Sequence, residues 1–201
     1  MAFLSVEKVK KIGLKSVGNN VLISDKAVFY RPERIIIGNN VRIDDFCVIA
    51  NNVILHNYIH IAIFACLLSD ENSVIEMENF SGVAYQSLLL TNTDDYSGNF
   101  MTNPTITKKF RFIYSASIHV GCHGLVGTGT TILPGANIGE GASIGAKSLL
   151  TKPAEPWKIY SGIPAKPIRD RRKRILELEE KFILEVRDNK EENVNVEQRT
   201  D

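Results

Sequence analysis

The chain has 201 residues and is nearly neutral, with 24 Lys and Arg against 23 Asp and Glu, enough for one good-sized domain with an extension. That balance offers nothing to a polyanion such as nucleic acid, and no apolar run approaches the roughly 20 residues needed to cross a membrane. Cys47, Cys66 and Cys122 are an odd set without close pairing, which suits reduced packing residues in a cytoplasmic protein better than a disulfide framework.

Residues 1–16 form the lead-in. The stretch is lysine-rich and lacks the apolar core and small-residue cleavage site of a signal peptide. Ser5 is a fair N-cap for a short helix over Val6 to Ile12, closed by Gly13.

From 17 to 152 the sequence repeats every six residues. Ile37, Ile43, Ile49, Leu55, Ile61 and Leu67 form one aliphatic series, and Val120, Val126, Ile132, Ile138, Ile144 and Leu150 another. Shorter runs are Val17, Ile23, Phe29 and Met77, Val83, Leu89. A period of six is not a near multiple of 3.6, so no α-helix explains it. Short strands joined by tight turns do. Three units return the chain to its starting side, one coil is 18 residues, and coils stack as a solenoid. Glycine and asparagine after the aliphatic residue, as in "IGNNV" and "VGTGT", are expected to supply the positive φ of the corners.

The pattern stops after Leu89. One more step puts Asp95 at the inward position, where an ionised carboxylate costs several kcal/mol. Residues of about 92–117 are therefore expected to leave the solenoid as a loop. A loop that long inside a compact domain is more often functional than not. It holds Asp94, Asp95, Tyr96, Asn99, Phe100, Met101 and Asn103, a mixture suited to a polar ligand with a flat part. Tyr85 and Gln86 precede it. His60 and His119 each come just before an inward residue and so point outward.

Pro153, Pro156, Pro164 and Pro167 mark the exit from the solenoid. Beyond them, to about 190, the pattern predicts a helix with the apolar stripe Ile168, Ile175, Leu178, Phe182 and Val186. Residues 191–201 are a polar tail.

These repeats resemble the hexapeptide-repeat family, and the resemblance implies a mainly β fold, a left-handed parallel β-helix with a protruding loop and a C-terminal α-helix. Within it, "ILPGANIGEGASIGA", "TK" and "GIPAKPIR" are similar to the galactoside and maltose acetyltransferases, which use acetyl-CoA as co-substrate and no metal. Carried over, Thr128 and Ala146 would meet the pantetheine arm, Thr151 and Lys152 the adenosine phosphates, and Lys166 and Arg169 the 3′-phosphate. Leu125 stands where many relatives carry Trp. The N-terminal half, with "NNVRIDDFCVI", "IHIAIFA" and "DDYSGNFMTNPT", looks like the nucleotide-sugar acetyltransferases that modify viosamine. That implies a dTDP-4-amino-4,6-dideoxyglucose acceptor, an O-antigen or capsule precursor, and a homotrimer with sites between subunits. Only "LSDENSVIE", residues 68–76, lacks the glycine-rich form expected of relatives.

Against the galactoside branch, Asp94 falls at the position of the histidine base. A carboxylate with a reference pKa of about 3.9 is a poor base for a hydroxyl but adequate for an amine shedding an ammonium proton. Asp94 as base, with Asp95, Tyr96, His60, Tyr85 and Asn103 binding substrate, therefore favours N-acetylation. A turn-forming Asx role for Asp94, a sugar O-acetyltransferase and a non-catalytic scaffold remain open. A zinc carbonic anhydrase also shares this fold, but His56/His60 and His119/His123 are spaced four apart where its ligand pairs are spaced five.

Overall fold

The computed structural model describes residues 2–197. The fold is a parallel β-helix of three faces. The first face stacks Ser16–Val17, Ile36–Ile37, Val53–Leu55, Ile75–Met77 and Ile118–Val120. The second carries seven parallel strands, from Leu22–Ile23 to Lys158–Gly162, and an antiparallel last strand, Ala165–Asp170. The third runs from Val28–Tyr30 to Leu149–Leu150. A helix, α1 (Val6–Lys11), leads in; Ser5 Oγ accepts from the Lys8 backbone N–H at 3.4 Å.

The inward positions follow the period of six. None of the twelve residues in the two long aliphatic series is more than 1% exposed. Each Ile or Leu so buried contributes about 1.5–3 kcal/mol of apolar transfer. Outward residues of the third face are also apolar. Val28, Val48, Cys66, Leu88, Thr131 and Leu149 lie in register from coil to coil, a ladder with one polar member.

The corners differ from expectation. Asn20 and Asn40 do take positive φ, but so do Phe46, Tyr58, Phe64 and Phe80. Stacking accompanies the strain of these aromatic corners. Phe46 lies on Phe64 with centroids 5.0 Å apart, Tyr58 on Phe80 at 4.8 Å, and Phe80 on His123 at 5.3 Å. The glycine directly after the inward residue serves close approach instead. A Cβ on Gly127 would come within 2.6 Å of the Ile144 carbonyl in the next coil. The first asparagine of each "NN" makes a ladder: Asn39 Oδ1 accepts the Asn19 N–H at 2.8 Å, and Asn57 Oδ1 the Asn39 N–H at 2.9 Å.

Three boundaries need correction. The solenoid does not end at 152. Ala154 bridges Ile138, Tyr160 takes the inward place beside Ile144, and Lys158–Gly162 continues the second face. Prolines 153 and 156 fall where the coil asks no N–H of them, and Ala154 N–H still reaches Asn137 O at 2.8 Å. Ile168 is not helical; it lies on Ala165–Asp170, whose charges hide a strand paired with Lys158–Gly162. The final helix, α2 (Arg174–Glu197), runs into the stretch assigned to the polar tail. Residues 198–201 of that tail lie outside the described residues. The chain divides into two compact units, the solenoid through Arg171 and the helical unit from Arg172. No helix among the described residues is long and apolar enough to cross a membrane.

Candidate active site

The excursion leaves at the corner after the third face. Leu88–Leu90 ends the fourth coil, Thr91 is buried, and Ile118–Val120 starts the fifth. The segment between is not a structureless loop. Asn92–Asp94 pairs antiparallel with Ile113–Ser115, Asn92 opposite Ser115 and Asp94 opposite Ile113. A 3-10 turn, Lys108–Phe110, and a bridge from Met101 to Arg111 fill the middle.

The two adjacent carboxylates have different surroundings. Asp95 is occupied by the loop itself: Oδ1 accepts from the Ser97 hydroxyl at 2.8 Å, and Oδ2 from the backbone N–H groups of Asn99 and Phe100 at 3.0 and 3.2 Å. The Ser97 hydroxyl foremost, with these backbone donors, holds the Asp95 carboxyl below the usual carboxylate range. Asp94 Oδ2 accepts one long bond, from the Asn103 N–H at 3.4 Å, and its other oxygen has no partner among the described residues. Asp94 is thus the carboxylate open to a ligand, and Asp95 builds the turn that carries it. Asn103 also builds: its Oδ1 accepts the Thr105 N–H at 2.8 Å, at a positive φ of 76°. Tyr96 is 93% exposed.

Arg111 Nε, enclosed within the same segment, has no hydrogen-bond partner among the described residues. Around it Phe110, Phe112 and Tyr114 are exposed. An enclosed cationic donor lacking an acceptor is costly, so this position invites an anion. In the sequence only the basic and aromatic run "KKFRF", residues 108–112, hints at this position.

The remaining candidates are spread along the solenoid. Tyr85, Thr128 and Ala146 share the corner between the second and third faces. The Gly129 N–H reaches Tyr85 O at 2.8 Å, and the Lys147 N–H reaches Thr128 O at 2.8 Å. Behind this ridge inner side chains tie neighbouring coils together at three levels. Cys47 Sγ donates to Ala62 O at 3.1 Å, Ser87 Oγ to Gly127 O at 2.8 Å, and Thr130 Oγ1 to Gly145 O at 2.8 Å. Ridge backbone held so firmly is pre-organised for a ligand that runs along it. Thr151 and Lys152, both exposed, follow the third face and share the corner line of the excursion. Lys166 and Arg169, also exposed, sit on the last strand of the second face, opposite Ser161 and Ile159.

His60 lies outward on the second face, as its spacing implies, but it has a partner that sequence did not reveal. Its Nε2 is 2.8 Å from Asp44 Oδ2, and Arg42 Nε donates to Asp44 Oδ1 at 2.7 Å. Asp44 is 2% exposed, and a buried carboxylate is tolerable because both oxygens are so matched. The other histidines disperse. His56 meets Glu76 at 2.8 Å, His119 meets Glu78 at 3.0 Å, and His123 stacks on Phe80. The four-apart pairs therefore do not converge.

No protein-family model matches the chain. It is 40% identical over 185 residues, 90% of its length and 95% of the relative's, to a dTDP-4-amino-4,6-dideoxy-D-glucose acyltransferase of Escherichia coli. Among solved structures it is similar to AntD, an N-acyltransferase from Bacillus cereus, in complex with dTDP and 3-hydroxybutyryl-CoA. That match has 39% identity and a TM-score of 0.90 over 92% of this chain and 98% of that one. A single-residue variant of AntD in complex with dTDP-4-amino-4,6-dideoxyglucose and coenzyme A matches at 40% identity and a TM-score of 0.90, over 92% and 98%.

Proposed function

The chain belongs to the hexapeptide-repeat acyltransferases, in the family of the dTDP-4-amino-4,6-dideoxy-D-glucose acyltransferases, and from that premise we propose its reaction. It transfers an acyl group from coenzyme A to the amine of a dTDP-linked amino-dideoxyhexose. In finer terms the acyl group is acetyl, the acceptor is the 4-amino group of a 4-amino-4,6-dideoxyhexose, and the product serves O-antigen or capsule synthesis in the cytoplasm. The observation that carries the choice of amine is the pair of carboxylates: Asp95 is saturated by loop donors, while Asp94 keeps an oxygen free for an ammonium group.

The steps balance simply. Asp94 binds the ammonium form and takes a proton. The free amine attacks the thioester carbonyl and a backbone N–H of a neighbouring coil stabilises the oxyanion; as the C–S bond breaks, the attacking nitrogen gives its second proton to the departing sulfur, the coenzyme leaves as thiol, and Asp94 returns its proton to water. We assign Tyr85, Tyr96, His60 and Asn103 to the sugar nucleotide, with Asp95 supporting the turn. Arg111, its Nε lacking an acceptor, suits the diphosphate. Thr128 and Ala146 follow the pantetheine arm, and Thr151, Lys152, Lys166 and Arg169 the adenosine phosphates.

One copy separates Asp94 on the excursion corner from Thr128 and Ala146 on another. The apolar third face lies between them. Packing three such faces around a threefold axis sets the Thr128 corner of one copy against the excursion corner of the next. The apolar ladder from Val28 to Leu149 supports that homotrimer, with sites between subunits.

The test is thiol release from acetyl-CoA and 3-hydroxybutyryl-CoA across a panel of nucleotide-linked amino and hydroxy sugars. Turnover with dTDP-linked 4-amino sugars is expected. Turnover confined to hydroxyl acceptors, or none with any sugar, would remove this reading.

A further inference from the structure

We propose that Asp70 is a positioning residue for acyl transfer: its carboxylate clamps both strands of the excursion to the solenoid and so fixes where Asp94 stands. The proposal rests on the reading of Asp94 given above.

The sequence prepares the clamp by breaking its own period. From Leu67 to the next member of the inward series, Met77, which pairs in register with Leu55, the chain takes ten steps instead of six. The four extra residues fall at the corner after the third face, one coil before the excursion leaves the same corner. This is the stretch that lacks the glycine-rich form expected of relatives. Asp70 lies within it. Oδ2 accepts the Ser115 hydroxyl at 2.6 Å and the Asn92 side-chain amide at 3.3 Å. Oδ1 accepts the Ser73 hydroxyl at 2.6 Å and the Asn72 N–H at 2.9 Å. Asn92 and Ser115 are direct partners across the antiparallel pair. One oxygen therefore holds the chain where it leaves the solenoid and where it returns.

The other side of the clamp is anchored too. Asn52 Nδ2 donates to the carbonyls of Asp70 and Ser73 at 2.8 and 3.1 Å, from the coil before. Ser73 Oγ also lies 2.6 Å from the buried Thr91 Oγ1. Partial burial pushes the Asp70 carboxyl up, but the hydrogen bonds, led by Ser115 and Ser73, outweigh it and hold it below the ordinary range. It therefore acts as an ionised acceptor of four donors, the strong kind of hydrogen bond.

What it holds is weak alone. Two strands of three residues are marginal without such ties. Asp94 is two residues beyond Asn92, so a splayed base moves its carboxylate. A misplacement near 1 Å in a reacting group costs on the order of a hundredfold.

The experiment compares Asp70→Asn and Ser115→Ala with wild type and with Ser24→Ala, which loses a Ser–Asp bond to Asp45 in the first coil. Two readouts are taken: steady-state kinetics for each substrate, and hydrogen–deuterium exchange, which needs no substrate. The expected result for Asp70→Asn is a 10- to 100-fold loss of kcat/KM for the amino sugar with the KM for acyl-CoA within about twofold. Exchange should quicken at 92–94 and 113–115 and stay unchanged at 118–150. Ser115→Ala should show a smaller version of both, and Ser24→Ala neither. Wild-type kinetics and exchange in Asp70→Asn overturn the proposal. So does an equal rise in both KM values with faster exchange throughout, which makes Asp70 a residue of general stability. If Asp70→Asn does not fold, Ser115→Ala decides: unchanged exchange at 92–94 overturns the clamp. Wild-type protein that releases no thiol overturns the acyl-transfer reading itself, and exchange separates that failure from failure of the clamp.

Discussion

The Lys147 backbone N–H donates to the Thr128 carbonyl at 2.8 Å, which stacks Thr128 and Ala146 one coil apart on the corner assigned to the pantetheine arm. The exposed cations Lys152, Lys166 and Arg169 lie in the coils that follow. A remote phosphate contact binds ground state and transition state alike. Lys152→Ala and Arg169→Ala should therefore raise the KM for acyl-CoA more than they lower kcat. An exposed charged contact of about 1–2 kcal/mol corresponds to a rise of roughly 5- to 30-fold. The effect should shrink with dephospho-coenzyme A derivatives for whichever residue meets the 3′-phosphate. A KM unchanged in both variants would detach these residues from the coenzyme.

Assembly can be read through the cysteines. Cys47 is buried, and desolvation pushes its thiol up to about 11, so it should resist iodoacetamide at pH 8 in every native form. Cys66 faces outward beside Leu88 on the third face. In the proposed trimer it should be protected. Leu88→Glu places a charge in the apolar ladder and should yield a folded, inactive monomer by sedimentation, with Cys66 now labelled. A fully active monomer would sink the intersubunit site.

Much of the fold was legible because the inward rule is local: step by six, and the side chain points to the core. The two long series obey it without exception. Three features were not legible, each for a physical reason. The strand Ala165–Asp170 carries Lys, Arg and Asp because its outer side has no neighbour strand to bury it, so its pattern mimics a charged helix. Aromatic corners defy the φ preference that identifies Gly and Asn, since stacking partners come from other coils. The partners of the site are equally remote. Asp44 meets His60 across sixteen residues and Asp70 meets Ser115 across 45, and no single-sequence pattern reports such pairs. The excursion itself was legible through Asp95, because an inward carboxylate announced that the coil had ended.

Acid should loosen the excursion late. Asp70 and Asp95 both have folded pKa values below the ordinary carboxylate range. A depressed folded pKa adds stability that is complete above the unfolded value of about 3.9 and is lost as pH falls through the lower folded value. Exchange protection at 92–115 should therefore persist to about pH 4 and fade below it, reversibly. Asp95→Asn should lose protection of 97–100 already at neutral pH. Loss of wild-type protection between pH 7 and 5 would contradict this assignment.

The assignment of Asp94 itself is tested by Asp94→Asn, which keeps the size of the side chain and removes its charge. Turnover should fall on the order of the 10²- to 10⁴-fold typical of removing a general base. The fall should be smaller where the bound amine sheds its proton to water. In that case the variant should recover toward wild type as pH rises through the pKa of the sugar amine, because the substrate then arrives neutral and no acceptor is needed. Asp95→Asn should instead weaken amino-sugar binding through the turn it builds with Ser97, Asn99 and Phe100, with the pH profile keeping its shape. The measurement is a pH–rate profile of wild type and both variants with the preferred amino sugar at saturating acyl-CoA. Wild-type turnover across the profile in Asp94→Asn would make the carboxylate structural and leave the proton to another group or to bulk water.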